Sequence, residues 1–214
     1  MTFCHTEELF DLSHTLAAPL FEGKEWPWQV LDELKDFIVK LGESLPAAEY
    51  DQPQPGVWVA KTAKVAPTAL LGAPCIIGPE AEVRHCAFIR GSAIVGKNCV
   101  VGNSVELKNA VLFDNVQTPH YNYVGDSILG YKSHMGAGSI TSNVKSDKTL
   151  VVVKNGEERI ETGLKKFGAI LGDHVEVGCN SVLNPGCVLG RGVSVYPTSS
   201  VRGVIPEGHI YKSE

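Results

Sequence analysis

Several things that common protein classes require are scarce or missing in this chain of 214 residues. No stretch approaches the ~20 consecutive apolar residues a membrane-spanning helix needs. The start, MTFCHTEELF, lacks a basic segment followed by an apolar run, so no signal peptide is expected there. Positive charge is not in surplus: 19 Lys and Arg face 24 Asp and Glu, for a net charge of -5. That removes the basic footprint of a nucleic-acid binder and of a membrane-surface protein. Six cysteines are present, but no CxxC pair exists, and reduced thiols in a cytoplasmic protein are expected rather than a disulfide framework.

What the chain has instead is a period. From Val59 to Phe113 every sixth residue is aliphatic or aromatic: Val59, Val65, Leu71, Ile77, Val83, Ile89, Val95, Val101, Leu107 and Phe113. The residue four places after each is small or branched and apolar, with Cys75, Cys99 and later Cys187 among them. Six fits neither the 3.6 of a helix nor the 2 of a free strand, so a supersecondary unit repeats. The reading is an all-β parallel β-helix: three short strands and three turns close a triangular coil, and coils stack at about 4.8 Å. The phase fails after Phe113 and is expected to return at Tyr123, Leu129, Met135 and Thr141, with four extra residues bulging as a loop around Gln117-Thr118-Pro119-His120. It returns again at Leu171, Val177, Leu183, Leu189, Val195 and Val201, which gives six to seven coils in all.

Residues 1–50 differ from the rest and form an N-terminal helical cap in this reading. Thr6-Glu7-Glu8 is a helix start, and Val30, Leu31, Leu34, Phe37, Ile38 and Leu41 space an apolar face over a helix from Trp26 to about Gly42. Covering an open end of the prism is the expected role, because bare strand edges invite aggregation. The β-helix domain then covers 56–210. It is interrupted by an insertion at about 144–166, in which Thr149–Thr162 reads as a β-hairpin turning at Asn155-Gly156.

The position after the aliphatic residue is commonly Gly or Ala, yet Arg90 and Lys108 occupy it eighteen residues apart. Eighteen residues make one coil, so the two cations should stack on one corner. A solvated ladder of like charges is the plain alternative, and an anion between them is the functional one.

Five strings carry a family resemblance: Arg90-Gly91-Ser92-Ala93, Val105-Glu106-Leu107-Lys108, His120-Tyr121-Asn122-Tyr123-Val124-Gly125-Asp126, Gly136 to Asn143 (GAGSITSN) and Lys166 to Asp173 (KFGAILGD). Together, Phe88 to about Thr198 resembles the left-handed β-helical acetyltransferase domain of the bifunctional N-acetylglucosamine-1-phosphate uridyltransferase/glucosamine-1-phosphate acetyltransferases and of related sugar-phosphate nucleotidyltransferases. The resemblance implies a left-handed coil and transfer of acetyl from acetyl-CoA to an amino-sugar phosphate, most simply glucosamine 1-phosphate, in UDP-N-acetylglucosamine biosynthesis. It implies His120 as general base, since an amine must lose a proton to attack a thioester. It also implies Arg90, Lys108, Tyr123, Glu106, Asn143, Lys166 and His134 around the sugar phosphate, and Ala137, Cys179 and Pro197 beside the acetyl-CoA. No metal is required. A homotrimer with sites between subunits is the implied assembly.

The chain also departs from that pattern. His134 stands where the family usually has asparagine, and Cys179 where a serine is common. Neither the nucleotidyltransferase half nor the long C-terminal arm has a counterpart. A non-catalytic binding module, serving a separate nucleotidyltransferase, is therefore the alternative. A metal-dependent enzyme of the γ-carbonic-anhydrase kind would need three histidines on adjacent coils. His85 and His120 lie near two coils apart, without the closely spaced second pair.

Overall fold

In the computed structural model, which describes residues 4–213, the six-residue period closes into a three-sided coil. The first three residues of the 1–50 segment, and Glu214, lie outside the described residues. Face I stacks Val57–Ala60, Cys75–Ile77, Ala93–Val95, the ends of Glu106–Leu112 and Tyr123–Leu129, then Ala169–Leu171, Cys187–Leu189 and Val204–Ile205. Face II runs from Lys64–Val65 to Ile210–Tyr211, and face III from Leu70–Leu71 to Ser200–Val201. All these strands pair in parallel with the coil above and below. The inward positions register one over another: Ile77 over Val95, Val83 over Val101, Ile89 over Leu107. This is the expected β-helix, and its apolar interior excludes water from the second coil to the seventh.

Two details of phase differ from expectation. No loop bulges at 117–120; Gln117–His120 is a strand of face II, paired with Val100 to Asn103 above and His134 below. Instead each of two coils loses one residue, so that Ala93 pairs with Ala110 and Ala110 with Ser127. Glu106–Leu112 and Tyr123–Leu129 run unbroken round the corner from face III to face I, and Asn109 and Asp126 take positive φ at the bend (51° and 48°). Leu112 and Val124 therefore hold the inward slots expected for Phe113 and Tyr123. Phe113 is buried from outside, beneath Phe10 and Phe21 at ring-centroid distances of 4.9 and 6.1 Å. With the units at Thr118, Val124, Ile205 and Tyr211 included, face I has eight rungs rather than six or seven.

The N-terminal segment does not plug an end; it runs along a flank. Face I is apolar on its outer side as well, through Trp58, Ile76, Ile94, Val111, Ile128, Ile170 and Val188, all buried. Helix α1 (Thr6–Leu9) sits near the sixth and seventh coils, where Asp173 N donates to Leu9 O (3.0 Å) and Arg191 to Glu7 O (3.2 Å). Helix α2 (Leu34–Ser44) lies against the second and third coils, and the Trp58 indole is so close that a Cβ on Gly42 would overlap it. The expected single helix from Trp26 is replaced by a 3-10 turn over Pro27–Val30 followed by α2. Burying Trp28, Val30, Leu31 and Leu34 together overrides helical propensity, and Trp28 packs 5.6 Å from Phe167. The hairpin forms as Val152–Asn155 against Glu158–Glu161, turning at Gly156-Glu157 one residue later than expected, and Val151 and Val153 cover the far end of face I.

Candidate functional site

Two corners of the prism hold the residues singled out in the sequence. At the corner between faces III and I, Ile89 pairs with Leu107 and Leu107 with Val124, so Arg90 and Lys108 do stack in one column. Arg90 N donates to Leu107 O at 2.8 Å. Neither cation is bare. Arg90 Nη1 donates to Glu106 Oε1 (2.8 Å), and this raises its pKa further above the usual guanidinium range. Lys108 Nζ donates to both oxygens of Asp126 (2.7 and 2.9 Å).

Asp126 is the centre of this network, with its side chain only 4% exposed. It also accepts from Asn109 Nδ2 (2.9 Å) and from Asn143 Nδ2. The Asn143 amide donates in addition to Tyr123 Oη at 3.2 Å. Burial, then the negative charges of Asp126 and Glu106, push the Tyr123 phenol up, so it stays a donor. In the sequence Asp126 closes one of the resemblance strings without a role of its own, and a carboxylate one coil below Lys108 is the signal that marks it.

The hairpin insertion leaves the prism at this same corner. Its exit residues Lys165 and Lys166, with Leu31, Asp32 and Lys35 of the N-terminal segment, wall a trench of about 610 Å³ whose floor holds Arg90, Lys108 and Asp126. Lys166 thus joins the two stacked cations as expected. Among the described residues, Lys35, Lys165 and Lys166 have no ion-pair partner, whereas Arg90 and Lys108 do.

The corner between faces II and III carries a second column. Gly138 N donates to His120 O (3.0 Å), Asn180 N to Ala137 O (2.9 Å) and Thr198 N to Cys179 O (2.8 Å). His120, Ala137, Cys179 and Pro197 therefore follow one another down the same edge. Close approach is built in here: a Cβ on Gly102 would fall into the Pro119 carbonyl. His120 is exposed, and its backbone N donates to Asn122 Oδ1 (3.2 Å), which holds the turn that ends the strand. Buried Asn122 clamps the coil below through Gly136 O (2.8 Å) and Ser139 O (3.1 Å).

His120 does not adjoin Arg90 and Lys108. It stands at the opposite edge of face III, with Tyr123 and Glu106 on the strands between. Three residues of strand separate the corners, roughly 10 Å. His134 lies elsewhere, on face II one coil below, where its Nδ1 meets Glu176 Oε2 at 2.8 Å. It lines a shallow, mostly apolar groove of about 350 Å³ with Gly136, Gly178, Cys179, Tyr196 and Pro197. The structure thus gathers Arg90, Lys108, Glu106, Tyr123 and Asn143 into one patch, and puts His134 with the residues expected beside acetyl-CoA rather than with the sugar-phosphate set.

No three His, Cys, Asp or Glu residues converge as metal ligands among the described residues. His85 bonds the Thr68 hydroxyl instead (2.7 Å). Cys75 and Cys187 are wholly inside, and burial pushes their thiols up to about 12. No helix among the described residues is long and apolar enough to cross a membrane.

The GMPPB C-terminal domain family matches residues 72–189, just over half of the chain. A bifunctional sugar-1-phosphate nucleotidylyltransferase/acetyltransferase of Sulfurisphaera tokodaii is 33% identical over 105 residues, which are 49% of this chain and 26% of that protein. The bifunctional protein GlmU of Methanococcus aeolicus is 32% identical over 108 residues, 50% of this chain and 26% of its own length. The chain therefore spans about a quarter of the length of these curated relatives. Among solved structures, the acetyltransferase domain of PglB from Neisseria gonorrhoeae with acetyl coenzyme A aligns at a TM-score of 0.32 and 15% identity, over 72% of this chain and 53% of that one. A mutant of AntD, an N-acyltransferase from Bacillus cereus, aligns at 0.36 and 17%, over 72% and 74%.

Proposed function

The chain belongs to the family of GMPPB C-terminal domains, and from that premise, with the two corners above, we propose that it transfers acetyl from acetyl-CoA to the amino group of an amino-sugar phosphate. Glucosamine 1-phosphate is the acceptor its motifs favour. A relative named for both nucleotidyl and acetyl transfer, 33% identical to this chain over 105 residues, supports the reaction class.

The observation that carries the reading is the register of Arg90 and Lys108 on one corner with Tyr123 on the adjoining face. A phosphate dianion needs fixed cations and hydrogen-bond donors, and these side chains supply both. The phosphate takes donors from Arg90 and Lys108 that Glu106 and Asp126 now hold, with Lys166 closing from the trench wall. The sugar then sits over face III with its hydroxyls toward Glu106 and Asn143, and since its phosphate and amine are on neighbouring carbons, the long Arg90 and Lys108 side chains reach inward from one edge and the His120 ring from the other. One ring nitrogen of His120 accepts the amine proton as the C–N bond forms. Acetyl-CoA, as co-substrate, runs down the column of Ala137, Cys179 and Pro197, where the backbone is close to the surface.

A three-fold assembly accords with this arrangement, since both columns are edges that a neighbouring copy can cover. Light scattering of the purified chain tests that, a trimer mass being the expected result. The reaction is tested by thiol release from acetyl-CoA with glucosamine 1-phosphate, glucosamine 6-phosphate and glucosamine. Turnover should require the phosphorylated acceptors and be fastest with the 1-phosphate. No thiol release with any amino sugar would favour the alternative, a binding module acting with a separate nucleotidyltransferase.

A further inference from the structure

His134 and Glu176 are not accounted for by the sugar-phosphate patch. They stand opposite each other on adjacent strands of face II, with Nδ1 and Oε2 2.8 Å apart. A carboxylate accepting the Nδ1 proton fixes the ring's orientation and leaves Nε2 as the working nitrogen. The His134 side chain is 37% exposed, so that nitrogen can reach a ligand. Both residues line the groove that also holds Cys179 and Pro197, while His120 lies outside it. The two histidines therefore serve different sides of the reaction by location. His120 is at the edge of the acceptor face, and His134 is in the donor groove. Among the described residues, the polar contacts of His120 are made by its backbone, whereas His134 has a carboxylate in the position that orients a catalytic imidazole.

We propose that His134, held by Glu176, is the general acid that protonates the departing CoA sulfur. The inference rests on the acetyl-transfer reading. The amine nitrogen bonds to the acetyl carbon and loses its proton to His120. The C–S bond then breaks, its electron pair leaves on sulfur, and the proton on His134 Nε2 passes to that sulfur to give the free thiol. Water afterwards takes the proton from His120 and returns one to His134, so protons and charge balance. Glu176 touches no reacting atom and is a positioning residue; Cys179 and Tyr196 are the other titratable groups lining the groove.

The test compares two acetyl donors, acetyl-CoA and an acetyl ester of an acidic aryl thiol such as thionitrobenzoate, whose leaving group needs no proton. With acetyl-CoA, His134→Asn should lower kcat about 100-fold, at the low end of general acid–base effects, with KM for acetyl-CoA unchanged. With the aryl thioester the loss should shrink to within about threefold. Glu176→Gln should show the same donor-dependent pattern at about tenfold. Unfolding midpoints equal to wild type establish that both variants fold. Equal losses with the two donors, or full activity of His134→Asn, overturn the proposal while leaving acetyl transfer standing. A wild-type chain that releases no thiol overturns both.

Discussion

The corner carrying Arg90 and Lys108 and the corner carrying His120 come from the same repeat, yet they are finished in opposite ways. The first is an ionic network centred on buried Asp126, walled by the hairpin exit and the N-terminal segment. The second is an open edge of small and exposed residues held by rung-to-rung backbone bonds and by the buried Asn122 amide. A stacked coil fixes where backbone goes and leaves corner side chains free, so one corner can be stiff and charged while another stays accessible. The stiff corner suits gripping a fixed anion. The open one suits a long, flexible donor.

If the open corner supplies the base, His120→Ala should cut acetyl transfer by at least about 100-fold with little change in stability. Steady-state thiol release beside thermal unfolding would show this. An equal fall in stability would mean that the corner is structural after all. At the stiff corner the order reverses. Asp126→Ala leaves Lys108 and the amides of Asn109 and Asn143 without their shared acceptor, and should cost about 3 kcal/mol in denaturant unfolding. A loss under about 1 kcal/mol would show that water replaces the carboxylate.

The covered and bare faces extend the contrast. Ile94, outward on face I beneath the N-terminal segment, should cost about 3 kcal/mol as Ile94→Ala, because the segment cannot collapse into the gap. Val182, outward on uncovered face III, should cost under about 1 kcal/mol as Val182→Ala. Similar values at both sites would mean that the segment is only loosely seated.

The smallest effect is a pH dependence at the segment's anchor. Asp173 accepts from Asp11 N (2.7 Å) and Tyr131 N (2.8 Å). Burial is nevertheless the dominant influence and holds its carboxyl above the usual range. A raised carboxyl binds more protons folded than unfolded between the two pKa values. Its contribution is therefore most favourable below the ordinary carboxylate range and declines as pH rises through the raised value. Urea unfolding between about pH 4 and 7 should show a falling component for wild type that Asp173→Asn lacks.

Much of this was legible in the sequence because a β-helix repeats in one dimension. An inward residue every sixth position specifies the coil, and eighteen residues per turn put Lys108 under Arg90 without any knowledge of the rest. The shortened coils were harder to see. Phe113 is as buried as a true core residue, but from outside, so pattern alone assigned it to the prism and created a loop where a strand exists. The triplets Cys75-Ile76-Ile77, Ala93-Ile94-Val95 and Ala169-Ile170-Leu171 did hold the missed signal. Their central apolar residue should face solvent, and a covering layer was its implication.

Sequence alone settled the coil and the stacking of Arg90 on Lys108, because both follow from counting along a periodic chain. Tertiary structure decided what counting cannot reach. It laid residues 4–50 along a flank, gave both cations carboxylate partners, set His120 across a face from them and paired His134 with Glu176. Those outcomes depend on side-chain direction and on segments far apart in the chain, and no local period encodes either.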